Sequence, residues 1–265
     1  MKEVKKLGFR LLCLSGVLAG GFLLLCAWGV LDPDDWGTEE PAVMTAVPAL
    51  GVADQALFQG PFLHLADPDQ PISPGTRGVI LPMKGADGTL GYVSQVPRAA
   101  DLGASSGDPD RNEAIRTLTA REDLHTVALI SCLADDLAGQ DRALALLRES
   151  GSPWVDEAGQ TWLDPAKEDT LAYLTEICRE AAALGFDELL LTGLSCPREE
   201  TGLEPLCRSL QQAALDWPVM LSVVGSPGHD PALLASFPGR VWARQEDAGA
   251  LSAFDPVVLP ASSAN

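Results

Sequence analysis

The alternation of apolar and polar positions is clearest over residues 154–197, WVDEAGQTWLDPAKEDTLAYLTEICREAAALGFDELLLTGLSCP. Leu171, Leu174, Cys178 and Ala181 recur at steps of three and four, so they share one helix face, while Glu176, Arg179 and Glu180 fall mostly on the opposite face. Asp164 is suited to cap this helix, Pro165 to its first turn, and Gly185 to end it in a left-handed turn. Phe186 to Leu191 is then a continuous apolar run, the pattern of a strand buried on both faces of a parallel sheet. The chain breaks again at Gly193 and Pro197.

The same unit recurs on either side. Arg77–Met83, His125–Leu133, Val219–Val224, Arg240–Ala243 and Pro256–Leu259 read as strands, with a short returning strand over Thr89–Val93. Residues 108–121, 137–149, 203–215 and 231–236 read as helices, punctuated by Gly151-Ser152-Pro153 and Gly225-Ser226-Pro227-Gly228. Strands alternating with helices predict a parallel sheet with right-handed crossovers. The fold class is therefore α/β, and the number of units in residues 76–265 suits a reduced or incomplete (β/α) TIM-type barrel better than an open sheet. No phosphate-binding glycine motif follows any strand, which weakens a nucleotide-binding reading, and no cofactor is expected.

The first 75 residues follow a different pattern. Lys2, Lys5, Lys6 and Arg10 make residues 1–10 basic, and residues 11–31 then carry no charge. As a helix that stretch would span roughly 32 Å, against a hydrocarbon core of about 30 Å. It is longer than the apolar core of a cleaved signal peptide, and no clean A-x-A site follows. The expectation is an N-terminal transmembrane helix acting as a signal anchor, with the basic flank cytoplasmic and the C-terminal domain extracytoplasmic on a single-pass cell-membrane protein. Residues 32–75, rich in Pro and Asp, read as a linker with one short strand over Ala56–Leu65. His64 in that strand reads as a packing residue. The body is acidic, with a net charge of -19 over 265 residues, which argues against nucleic acid as a partner.

In a (β/α) barrel the chemistry sits at the carboxyl ends of the strands. That rule selects residues 82–84, 134–136, 192–197 and 225–229, among which Lys84, Asp135, Asp136 and His229 ionise. Asp87, Glu199 and Glu200 lie a few residues further on.

The words GVILPMKGADGTLGYVSQVPRA, ALISCLADDLAG, WVDEAGQTWLDP and REAAALGFDELLLTGLSCP, in that order, resemble the glycoside hydrolase domain family of bacterial membrane-anchored and secreted proteins, a (β/α)-barrel family related to α-amylase-like barrels. The resemblance covers residues 77–197 and implies a carbohydrate partner, a polysaccharide or peptidoglycan. It also implies groove-lining roles for Lys84, Asp87, Asp135, Asp136, Trp162, Thr192 and Glu199. The departures weaken catalysis. Pro82 and Gly85 stand where the family has Asp, Leu129 replaces a strand Arg, and residues 192–197 replace an Asp-Tyr-x-Arg-Phe-Pro strand end.

Glycoside hydrolysis uses two carboxyl groups about 5–5.5 Å apart for retention or 6.5–9.5 Å for inversion. Of the matched strand-end positions only Asp135 keeps a carboxylate, so no catalytic residue is assigned. The expected function is a catalytically degenerate cell-envelope module for carbohydrate binding or interaction. The alternatives are an active glycosidase with relocated acids such as Asp87 or Glu199, and a structural partner in an envelope complex. Asp187 and Glu188 precede their strand and read as turn residues on the stability face. Cys196 with Cys207 would close a short loop as a disulfide, whereas Cys132 and Cys178 read as core thiols, and no Cys/His spacing suggests a metal.

Overall fold

The computed structural model describes residues 62–194 and 203–260. Seven strands form one parallel sheet in sequential order: β1 (Phe62–His64), β2 (Gly78–Lys84), β3 (His125–Ser131), β4 (Glu188–Thr192), β5 (Met220–Gly225), β6 (Val241–Ala243) and β7 (Val257–Val258). The helices are α1 (Pro97–Asp101), α2 (Arg111–Thr119), α3 (Glu168–Ala183), α4 (Leu203–Ala214) and α5 (Pro231–Ala235). An order without reversal has no switch point of the doubly wound kind, and right-handed crossovers then lay every helix on one face.

The sheet curls strongly. Phe62 on β1 and Trp242 on β6 meet edge to face with centroids 4.9 Å apart. Five strand spacings in a flat sheet would part them by roughly 24 Å. The result is a half-barrel that fits a reduced (β/α) barrel. Alternate residues separate its two cores. Val79, Leu81, Ala128, Ile130, Leu189, Leu191, Leu221 and Val223 meet the helices in the larger core. Ile80, Val127, Leu190, Val224 and Trp242 fill the inside of the curl. The central strands are thus buried on both faces, which is why they read as unbroken apolar runs.

Helix α3 buries Leu174, Ile177, Cys178 and Ala181 as the three-and-four spacing requires. Each large apolar side chain so buried contributes about 1.5–3 kcal/mol. The helix starts later than expected, because Asp164 Oδ1 accepts the Ala166 N–H (2.9 Å) in a turn ahead of it. It ends at Gly185, whose φ of +95° belongs to the left-handed region. Glu180 does not simply face solvent: its carboxylate accepts from Tyr92 Oη, Ser94 Oγ and the Gln95 N–H, tying the loop after β2 to α3.

Two expected elements are absent among the described residues. Over 137–149 only a 3-10 turn forms, Ala138–Gln140. The Leu146 N–H instead donates to the Trp162 carbonyl and Ala145 pairs with Leu163, so long-range partners take the groups a helix would have used. Thr89–Val93 shrinks to one antiparallel bridge between Leu90 and Lys84. Helix α1, which starts at Pro97, had no apolar period long enough to announce it. No helix among the described residues is long and apolar enough to cross a membrane, and residues 11–31 lie outside them.

Candidate functional site

The carboxyl ends of the strands open into two adjoining hollows of about 420 and 520 Å³. They share Leu129, Thr192, Val224 and Arg244. Strand parity decides what faces them. Leu129 aligns with Leu190, and Ser131 with Thr192, so one face of β3 and β4 runs from the inner core up to the mouth. The strand ends there offer Pro82, Leu129, Ser131, Thr192 and Val224, none of them a carboxylate.

Pro82 also redirects its neighbour. It has no N–H for the ladder, and the register slips between Pro82 and Lys84, so that Lys84 aligns with Ile130 of the helix-side core. Lys84 Nζ donates to the Ser131 carbonyl (2.8 Å) and lies 2.8 Å from Asp135 Oδ2, both side chains being fully buried. Asp135 Oδ1 accepts the Leu137 and Ala138 N–H groups (3.0 and 2.7 Å), holding the 3-10 turn. Gly88, at φ +87°, fits closely above: a Cβ there would come within 2.3 Å of Asp135 Oδ1.

The loop after β6 supplies the charges at the mouth. Arg244 borders both hollows, Glu246 the larger and Asp247 the smaller. After β5, His229 lines the smaller hollow, and its Nδ1 accepts the Ser226 N–H (3.1 Å). Burial lowers the pKa of His229 and of His64, which lines the larger hollow.

At the opposite end of the curl Glu188 is fully buried and fully used. Its carboxylate receives Arg240 (2.5 Å) and the Trp242 indole N–H (2.7 Å), and meets His125 Nε2 at 2.8 Å. Burial alone would raise its pKa; the bonds from His125 and Arg240 outweigh it and hold the group at about 2. Arg240 also lies over the Phe62 and Trp242 rings. Asp187 is a turn residue that accepts the Thr126 N–H and hydroxyl.

Residues 75–204 match the family model described as "Putative glycosyl hydrolase domain". The barrel is a divergent glycoside-hydrolase-like domain. Among curated proteins none matches. A hypothetical protein from Ruminiclostridium thermocellum ATCC 27405 is 26% identical, with 59% of this chain and 84% of that one covered and a TM-score of 0.49. Aspergillus fumigatus Ega3, solved with galactosamine, is 11% identical over 75% of this chain and 74% of its own, TM-score 0.49. The glycoside hydrolase domain of PelA from Pseudomonas aeruginosa is 17% identical over 69% of this chain and 65% of its own, TM-score 0.42.

Within the glycoside-hydrolase-like domain the expected groove residues separate. Thr192 and Trp162 line the cleft, the indole N–H of Trp162 being tied to Asp156 Oδ2 (3.1 Å). Lys84 lies in the cleft floor at 2% exposure, and Asp135 is beneath it at 0%, so neither offers a free charge. Asp136 turns aside, its Oδ1 accepting from Gln160 and Thr161. Asp87 is exposed and accepts from its own loop at Thr89. Glu199 and Cys196 lie outside the described residues, and Cys207 is a buried free thiol, as are Cys132 and Cys178.

Arg244, Glu246 and Asp247 were not among the expected residues. The strand-end rule reaches them once it is carried on to β6, whose last residue is Ala243. No group of acids, histidines and cysteines among the described residues is arranged to hold a metal ion.

Proposed function

We propose that this protein is an extracytoplasmic, membrane-anchored module that binds carbohydrate at the cell envelope through the mouth of its glycoside-hydrolase-like domain and does not hydrolyse it. The observation that carries this reading is that the inner strand ends present Pro82, Leu129, Ser131 and Thr192, none of them a carboxylate, with Asp135 sequestered by Lys84. A glycosidase flanks the bond with two carboxyl groups, one of them held protonated by its surroundings. The cleft keeps what binding needs: a volume suited to sugar rings, the Trp162 indole, hydroxyls and a guanidinium. Anchoring rests on the charge-free stretch 11–31 behind its basic flank.

A second reading, an active glycosidase with relocated acids, draws support from Glu246 and Asp247 at the mouth. Glycan-array and peptidoglycan pull-down binding, run beside reducing-end release from the bound glycan, tests both. Binding without release is the expected result. Release that disappears in Glu246→Gln or Asp247→Asn would establish the second reading instead, and no binding at millimolar sugar would remove the first.

A further inference from the structure

We propose that the cleft selects a saccharide bearing a carboxylate, which Arg244 and His229 seat together. The proposal rests on the carbohydrate-binding reading above and adds the chemical class of the sugar. Ser226 N–H donates to His229 Nδ1 (3.1 Å), which uses the lone pair on that nitrogen. A neutral ring then carries its proton on Nε2 and presents it as a donor. That Nε2 is buried and has no partner among the described residues, and His229 lines the smaller hollow. Burial lowers the pKa of the ring, so it stays neutral at pH 7 and remains a donor of one N–H.

Arg244 is the second donor. Its guanidinium makes no hydrogen bond or ion pair among the described residues, although the chain holds 37 Asp and Glu against 18 Lys and Arg. It borders both hollows, so a group bound to it is within reach of sugar rings in either. Arg and the Nε2–H tautomer can donate but not accept. A hydroxyl would answer the guanidinium at one uncharged oxygen; a carboxylate accepts it at two oxygens at once and neutralises its charge, which adds both energy and geometric specificity. Asp247 and Glu246 are acceptors at the edges of the same hollows, suited to ring hydroxyls and repelling a carboxylate placed anywhere but on Arg244 and His229.

The test measures binding of the full protein to oligouronates of galacturonic, glucuronic and mannuronic acid, each beside its carboxyl-reduced form, by isothermal titration calorimetry. At least one acid form should bind about tenfold tighter than its reduced partner, the margin a charge-assisted bidentate contact supports. Arg244→Ala should abolish that preference. His229→Phe should weaken the acid form several-fold, and His229→Gln, which keeps an N–H donor, should recover part of the loss. Equal binding of the paired forms, or a preference that survives Arg244→Ala, overturns the proposal while leaving carbohydrate binding intact. Binding of neither form in any pair overturns both.

Discussion

Replacing Glu188 by Gln isolates the charge at the bottom of the curl. Glu188 is fully buried, and its carboxylate is held at about 2 against an ordinary 4.5, because the bonds from His125 and Arg240 outweigh the cost of burial. At about 1.4 kcal/mol for each pH unit, that difference corresponds to about 3 kcal/mol of stability. The sign follows from the depressed folded-state value. The contribution is complete above pH 4.5, where the unfolded chain is also ionised, and is lost as pH falls from 4.5 through about 2. In Glu188→Gln the shape is kept but the ion pair between Glu188 and Arg240 is broken, and breaking such a buried pair costs about 3–5 kcal/mol. Urea unfolding followed by tryptophan fluorescence, at pH 7, 4 and 2.5, should show a deficit of about 3 kcal/mol at pH 7 that narrows sharply by pH 2.5. A deficit that is the same at all three pH values would refute the electrostatic account and leave only packing.

The buried pair beneath the cleft gives a second outcome. Lys84→Met leaves the buried Asp135 carboxyl without its counter-ion, so a loss of about 3–5 kcal/mol is expected in the same assay. The double change Lys84→Met with Asp135→Asn should recover a large part of it, and strict additivity of the two would contradict direct pairing. The thiols give a third. Burial pushes Cys178 and Cys207 up to about 12 and Cys132 higher than its ordinary value, so all three should resist a thiolate-specific reagent in the native protein at pH 8 and react in urea. Rapid native labelling of Cys207, located by peptide mass spectrometry, would contradict that burial.

Sequence order and periodicity alone determined the parallel α/β class, the α3–β4 unit and the family resemblance. These are local properties. The three-and-four spacing of Leu174 and Cys178, the run Leu189–Leu191 and the positive φ at Gly185 each depend on neighbours within a few residues. Tertiary structure decided the rest, because it depends on which distant residues come together. A helix pattern over 137–149 yielded to partners at Trp162 and Leu163 that periodicity does not register. Pro82 was legible as a lost carboxylate, but not as the break in register that turns Lys84 into the buried counter-ion of Asp135. Glu188 read as a turn residue until the curl brought β1, β3 and β6 around it. Arg244 and His229 are 15 positions apart on different loops, and the parallel pairing of β5 with β6 sets both at one cleft.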